Sequence, residues 1–140
     1  MDVCDVLNNT DKNLVYDSLK EIMDVDATLW FLAQEIVFCD DDSYVFKGKM
    51  DYYLYWEEAS SRMLPLEFDG NSALKPRNRM WSPFMNETDP NYPLLHVLLS
   101  VPELRQRYIA HVKTILERTF DSGLPAVLTV SYTHLRAHET

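Results

Sequence analysis

Apolar positions recur at helical spacing in four stretches of this chain and at strand spacing in two. Residues 12–23, KNLVYDSLKEIM, place Leu14, Tyr16, Leu19, Ile22 and Met23 mostly on one side, with Thr10 or Asp11 available as N-cap. A second helix is predicted from Asp26, read as its N-cap, to about Phe38, with Leu29, Leu32, Ala33, Ile36 and Val37 on one face. Pro93 suits the first turn of a short apolar helix through Leu94, Leu95, Val97, Leu98 and Leu99. Ser100 and Glu103 have the spacing of a capping box for a last helix, striped by Leu104, Tyr108, Val112, Ile115, Leu116 and Phe120 and ended by Ser122-Gly123 and Pro125.

The two strand-like runs, Tyr52 to Trp56 and Met63 to Phe68, flank the polar tetrad Glu58-Ala59-Ser60-Ser61 and read as a β-hairpin. Strand alternation puts Tyr53 and Tyr55 opposite Tyr52, Leu54 and Trp56, so both faces are apolar and cover is expected on each. Pro65 lacks an amide donor and implies an edge position or a bulge. Residues 71–91 are rich in Asn and Pro and read as irregular, with Trp81, Phe84 and Met85 pinning them to the body. The pattern predicts an α+β fold, mostly helical, with one hairpin.

The hairpin matters because of the acids at its base. Asp40, Asp41 and Asp42 precede it, Asp51 opens it, and Asp69-Gly70 closes it. A hairpin brings its far end back to its start, so Asp69 is expected close to Asp51, with Asp42 nearby. Two carboxylates 6 Å apart repel by roughly 3 kcal/mol at an effective dielectric near 20, so such closeness calls for a cation, a proton or open water. Hard oxygen ligands of this kind suit Mg²⁺ bound together with phosphates. The plain alternative is a solvated acidic loop followed by an Asp-Gly turn.

Charge narrows the classes further. The 140 residues carry a net −9, and residues 1–70 hold 16 Asp and Glu against 5 Lys and Arg, while residues 71–140 hold 6 against 8. The acidity therefore belongs to the half with the hairpin. It argues against a nucleic-acid binder, which needs a basic footprint. Lys47 and Lys49, and the trio Lys75, Arg77 and Arg79, could balance acids or meet phosphate, and otherwise read as solvated. Cys4 and Cys39 have no metal-site spacing, and Cys39 reads as a packed thiol at a helix end. No apolar run reaches membrane-span length, and MDVCDVLNNTDK lacks the basic and apolar parts of a signal peptide. His96 and His111 are lone helical histidines with no assigned role.

The order Asp42, Asp51, hairpin, Phe68-Asp69-Gly70 resembles that of protein kinases, which place a catalytic aspartate, a metal-binding side chain, a hairpin and a second metal-binding aspartate in this sequence. At closer range the block VDATLWFLAQEIVFCDDDSYVFKGKMDYYLYWEEASSRMLPLEFDG resembles the C-terminal half of the spore coat protein H (CotH) kinase family, with its FLA.E helix, its N-N-D-G-Y-like loop and its D/N-Y-Y-L-Y strand. NYPLLHVLLSVPELRQRYIAHVKTILERTFD resembles the helical segment that follows, so the likeness spans about residues 25 to 121. Asp40-Asp41 replace residues that are usually asparagines or small, and Ser43 stands where Gly is common.

The resemblance implies the C-terminal lobe of an atypical protein-kinase-like fold over residues 1–129, as a truncated fragment without its N-terminal lobe. It implies Asp42 as catalytic base, Asp69 and Asp51 as metal ligands, Mg²⁺ or Mn²⁺ with ATP as phosphate donor, and a protein Ser/Thr substrate. With only three glycines, and no strand lysine with a paired glutamate ahead of the first helix, the fragment is expected to be inactive in isolation. Residues 130–140, VSYTHLRAHET, look like a peptide recurring at the ends of unrelated proteins from environmental sequencing; they are read as a non-genomic tail, and the spacing of His134 and His138 is set aside with them. The other reading is a non-catalytic helical interaction module whose acidic loop is solvated or binds a divalent cation incidentally.

Overall fold

A computed structural model describes residues 2–11, 14–47 and 49–120. Among them the element order is α1 (Val3–Asn9), α2 (Val15–Ile22), α3 (Val25–Phe38), β1 (Tyr52–Glu57), β2 (Arg62–Glu67), two single 3₁₀ turns (Gly70–Ser72 and Pro76–Asn78), α4 (Pro93–Ser100) and α5 (Pro102–Phe120). The fold is α+β and mostly helical, as the periodicity predicts. The tail and its histidines lie outside the described residues.

α3 is the central helix, and its composition explains why. Leu29, Leu32, Ala33, Ile36 and Val37 are all buried, and α3 packs along α5 on one side and against β2 on another. Its N-cap is Asp24, not Asp26: the Asp24 carboxylate accepts from Ala27 N at 2.9 Å. Asp26 is free to face α5 instead, where it meets His111 Nε2 at 3.1 Å while the His111 ring stacks on Trp30. α5 packs against both α3 and α4, and its Leu104, Tyr108, Val112 and Leu116 are buried in the core, with Ile115 and Phe120 half-buried beside them. Tyr108 is fully buried and its hydroxyl donates to Pro83 O at 2.6 Å. Phe84 packs on the same ring and Trp81 on Phe46, so the irregular segment is pinned as its aromatics suggest.

Several expectations are corrected. α1, capped by Asp2, is an element that the apolar pattern did not mark. Leu14, placed on the apolar side of α2, is exposed. Ser100 does not cap α5: it is the last residue of α4, its hydroxyl donates to Val97 O, and α5 starts two residues later at Pro102.

The expected hairpin forms, with a register that runs from Tyr52 opposite Glu67 to Glu57 opposite Arg62. Pro65 stands opposite Leu54 without a bulge; among the described residues β2 has no second strand along its outer edge, only the bridge from Met63 to Met23, and that edge accommodates a residue lacking N–H. Cover on both faces is not what the described residues supply. β2 leans on α3 and α2, and Met63 O accepts from Asp24 N at 2.8 Å, whereas Tyr53, Leu54, Tyr55 and Trp56 of β1 are about half exposed. The hairpin is held through one strand and by its base, and that base carries the acids.

Candidate active site

α3 ends sharply. Cys39 takes the left-handed conformation at φ 52°, its N–H returning to the last turn, and the chain leaves the helix straight into Asp40. The Cys39 thiol is buried and pushed up to about 11 by loss of solvent, a packed group as its position suggests.

The three loop aspartates then have three different surroundings. Asp40 is buried; its Oδ1 accepts from Asp42 N at 3.2 Å, and its Oδ2 lies 3.9 Å from where a Cβ on Gly70 would stand. Burial raises its carboxyl above the ordinary range, and nearby Asp51, Asp42 and Asp41 push the same way against the Asp42 amide. Asp41 is also buried, but it accepts from Asn78 Nδ2 at 3.0 Å and pairs with the Arg77 guanidinium. Those two partners, Asn78 first, hold its carboxyl below the ordinary range. Arg77 is thus an ion-pair partner of the loop and not a purely solvated cation. Asp42 is half-buried, and its Oδ2 accepts from Ser72 Oγ at 2.9 Å.

The hairpin closes beneath this loop. Met50 N donates to Asp42 O at 3.1 Å, and Phe68 N donates to Asp51 O at 3.1 Å, so the two ends of the hairpin meet and both lie against the acidic loop. Asp51 and Asp69 each adopt a left-handed backbone, at φ 59° and 52°. Asp tolerates that region better than most residues, and such positions gather at functional sites. Lys49 turns away to Asn91 O and the Tyr92 ring.

Asp69 faces a cleft of about 410 Å³ shared with Glu35, Phe38, Asp40, Glu67 and Phe68. Asp42 and Asp51 are not among its lining residues. Glu67 is exposed as a residue, yet its carboxyl is pushed up to about 7, first by its partial loss of solvent and then by Asp40. Glu35 is only 1% exposed, and burial, followed by Glu67, pushes its carboxyl up to about 9 against two backbone donors. Neither glutamate was given a role from the sequence, although Glu35 is the acid of the FLA.E motif. For Glu35 a signal was present: an acid three residues after Leu32, within the apolar stripe of α3.

The donors suit Mg²⁺ or Mn²⁺ in kind, being hard carboxylate oxygens, and one or two carboxylates suffice where phosphate and water complete the shell. Among the described residues no three His, Cys, Asp or Glu side chains are grouped so as to hold an ion by themselves. Asp42, Asp51 and Asp69 are therefore gathered at one end of the molecule without converging on a single point.

A family model described as CotH kinase protein matches residues 1–131. The chain belongs to the CotH kinase family. No curated protein and no solved structure matches it. Membership relates this CotH-family chain to kinases and agrees with the likeness drawn from the FLA.E helix, the acidic loop and the Tyr-Tyr strand. Among the described residues no helix is long and apolar enough to cross a membrane.

Proposed function

We propose that the acidic loop and the hairpin base form the catalytic-lobe part of a phosphotransfer site, in which ATP gives its γ-phosphoryl group to a serine or threonine of a protein. The observation that carries this reading is the hydrogen bond from Ser72 Oγ to Asp42 Oδ2, which ties the candidate base to the segment just after Asp69. Residues from α3, the loop, the hairpin and the 3₁₀ turn are thereby held as one unit.

In this reading Asp42 accepts the proton of the attacking hydroxyl, and the bond from Ser72 Oγ to its Oδ2 fixes the orientation of the carboxylate. Asp69 and Asp51 would hold Mg²⁺ or Mn²⁺, which when bound supplies charge neutralisation at the phosphates. Asp41, already paired with Arg77 and Asn78, serves the loop and not the ion.

Titrating Mg²⁺ and Mn²⁺ into the chain by calorimetry, with and without ATP, tests this against Asp69→Asn. Asn keeps the shape and tolerates the left-handed backbone, so the change removes the charge and one acceptor oxygen without altering the fold. The expected result is metal binding that ATP strengthens and that the substitution abolishes. Binding indifferent to Asp69, or no binding in a folded sample, would instead support the non-catalytic module with a solvated acidic loop.

A further inference from the structure

We infer that Glu35 is a positioning residue, a buried clamp that fixes the backbone of the Asp42 loop from within α3. Its two oxygens are used separately: Oε1 accepts from Tyr44 N and Oε2 from Val45 N, each at 3.2 Å, nine and ten residues along the chain. The clamp is buried among the apolar side chains of α3, where an unpaired carboxyl is costly and a leucine would pack without that cost. A leucine offers no acceptor, and the loop's two amides would then be left unpaired in the core.

The rest of the loop shows why this site matters. Asn78 Nδ2 donates to Cys39 O at 3.2 Å, Asn86 Nδ2 donates to Val45 O at 2.8 Å, and the Tyr44 hydroxyl accepts from Leu94 N at 3.0 Å. Both ends of the segment from Cys39 to Val45 are therefore fastened to side chains from elsewhere in the fold, and Glu35 supplies two of the bonds on the C-terminal side of Asp42. Asp42 stands between the fastenings with its carboxylate directed to Ser72. The inference rests on the reading of Asp42 as the base for its functional meaning, but the clamp itself is geometric and is tested without nucleotide or metal.

Glu35→Gln is the decisive variant, since it keeps the volume and replaces one accepting oxygen, whether of the carboxylate or the hydroxyl of the neutral acid that burial favours, by an NH₂ group that accepts nothing, so that one loop N–H loses its acceptor. Amide hydrogen exchange, followed residue by residue by NMR on the 140-residue chain, reads the outcome. In the unsubstituted chain the Tyr44 and Val45 amides are expected to be protected like those of α3. In the variant, exchange at Tyr44, Val45, Asp42 and Met50 is expected to rise about tenfold, while α5 amides keep their rates. Unprotected Tyr44 and Val45 amides in the unsubstituted chain would overturn the proposal. So would unchanged loop exchange in the variant, or a uniform rise across all helices, which would make Glu35 a core-filling group. A loop that responds as expected, in a chain whose metal binding ignores Asp69, would keep the clamp and remove Asp42's catalytic role.

Discussion

At the scale of single residues, the buried acid of α3 makes stability depend on pH in a definite direction. Glu35 has its carboxyl pushed up to about 9 in the folded chain, from an ordinary value of 4.5. Between those values the unfolded chain has released a proton that the folded chain retains. The contribution is therefore complete below the unfolded value and is lost as pH rises through the window to about 9. Melting temperature is expected to fall between pH 5 and pH 9, and Glu35→Gln is expected to flatten that slope, as a series of thermal melts would show. An unchanged slope in the variant would mean that other groups set the pH dependence. The three loop aspartates carry the same lesson in miniature: one residue type, three adjacent positions, and opposite shifts for Asp40 and Asp41 because one is shut away among acids and the other meets Asn78 and Arg77.

At the scale of elements, α3 and the hairpin contribute very differently to folding. Leu32 is fully buried where α3 meets its neighbours, and Leu32→Ala is expected to cost about 2–5 kcal/mol through lost transfer energy and the cavity left behind. Tyr55, on the open face of β1, is 53% exposed, and Tyr55→Thr keeps strand propensity, so a change within about 0.5 kcal/mol is expected. Urea unfolding of both variants measures the contrast. If Tyr55→Thr cost as much as Leu32→Ala, the outer face of the hairpin would be packed in solution. The strands themselves were legible, because alternation and a polar tetrad mark a hairpin whatever surrounds it. Its burial was not, because apolar side chains on both faces state a capacity for packing and say nothing of which neighbours are present.

At the scale of the whole molecule, charge and the candidate site residues are unevenly distributed. The acidic half supplies the loop and the hairpin base, and α4 and α5, with the two prolines that start them, brace it from behind. With three glycines in 140 residues, the chain has no glycine-rich strand to cover nucleotide phosphates. By itself this polypeptide is expected to transfer no measurable phosphate from labelled ATP to a generic protein acceptor, even where it binds metal. Efficient transfer would show that the acids at the hairpin base suffice without such a strand.

The sequence by itself determined the helical stripes of α3 and α5, the presence of the hairpin, the sign of the charge and the family likeness, because each rests on local spacing or on runs of residue type. It also named Asp42, Asp51 and Asp69 as residues to watch. Tertiary structure alone decided which acids share a cleft, that Arg77 crosses to Asp41, that Asp24 and not Asp26 caps α3, and that Ser100 closes one helix instead of opening the next. It also decided the place of Glu35, whose partners lie on the far side of a loop. Those outcomes depend on which distant backbone groups and charges meet in three dimensions, and no periodicity along the chain carries that information.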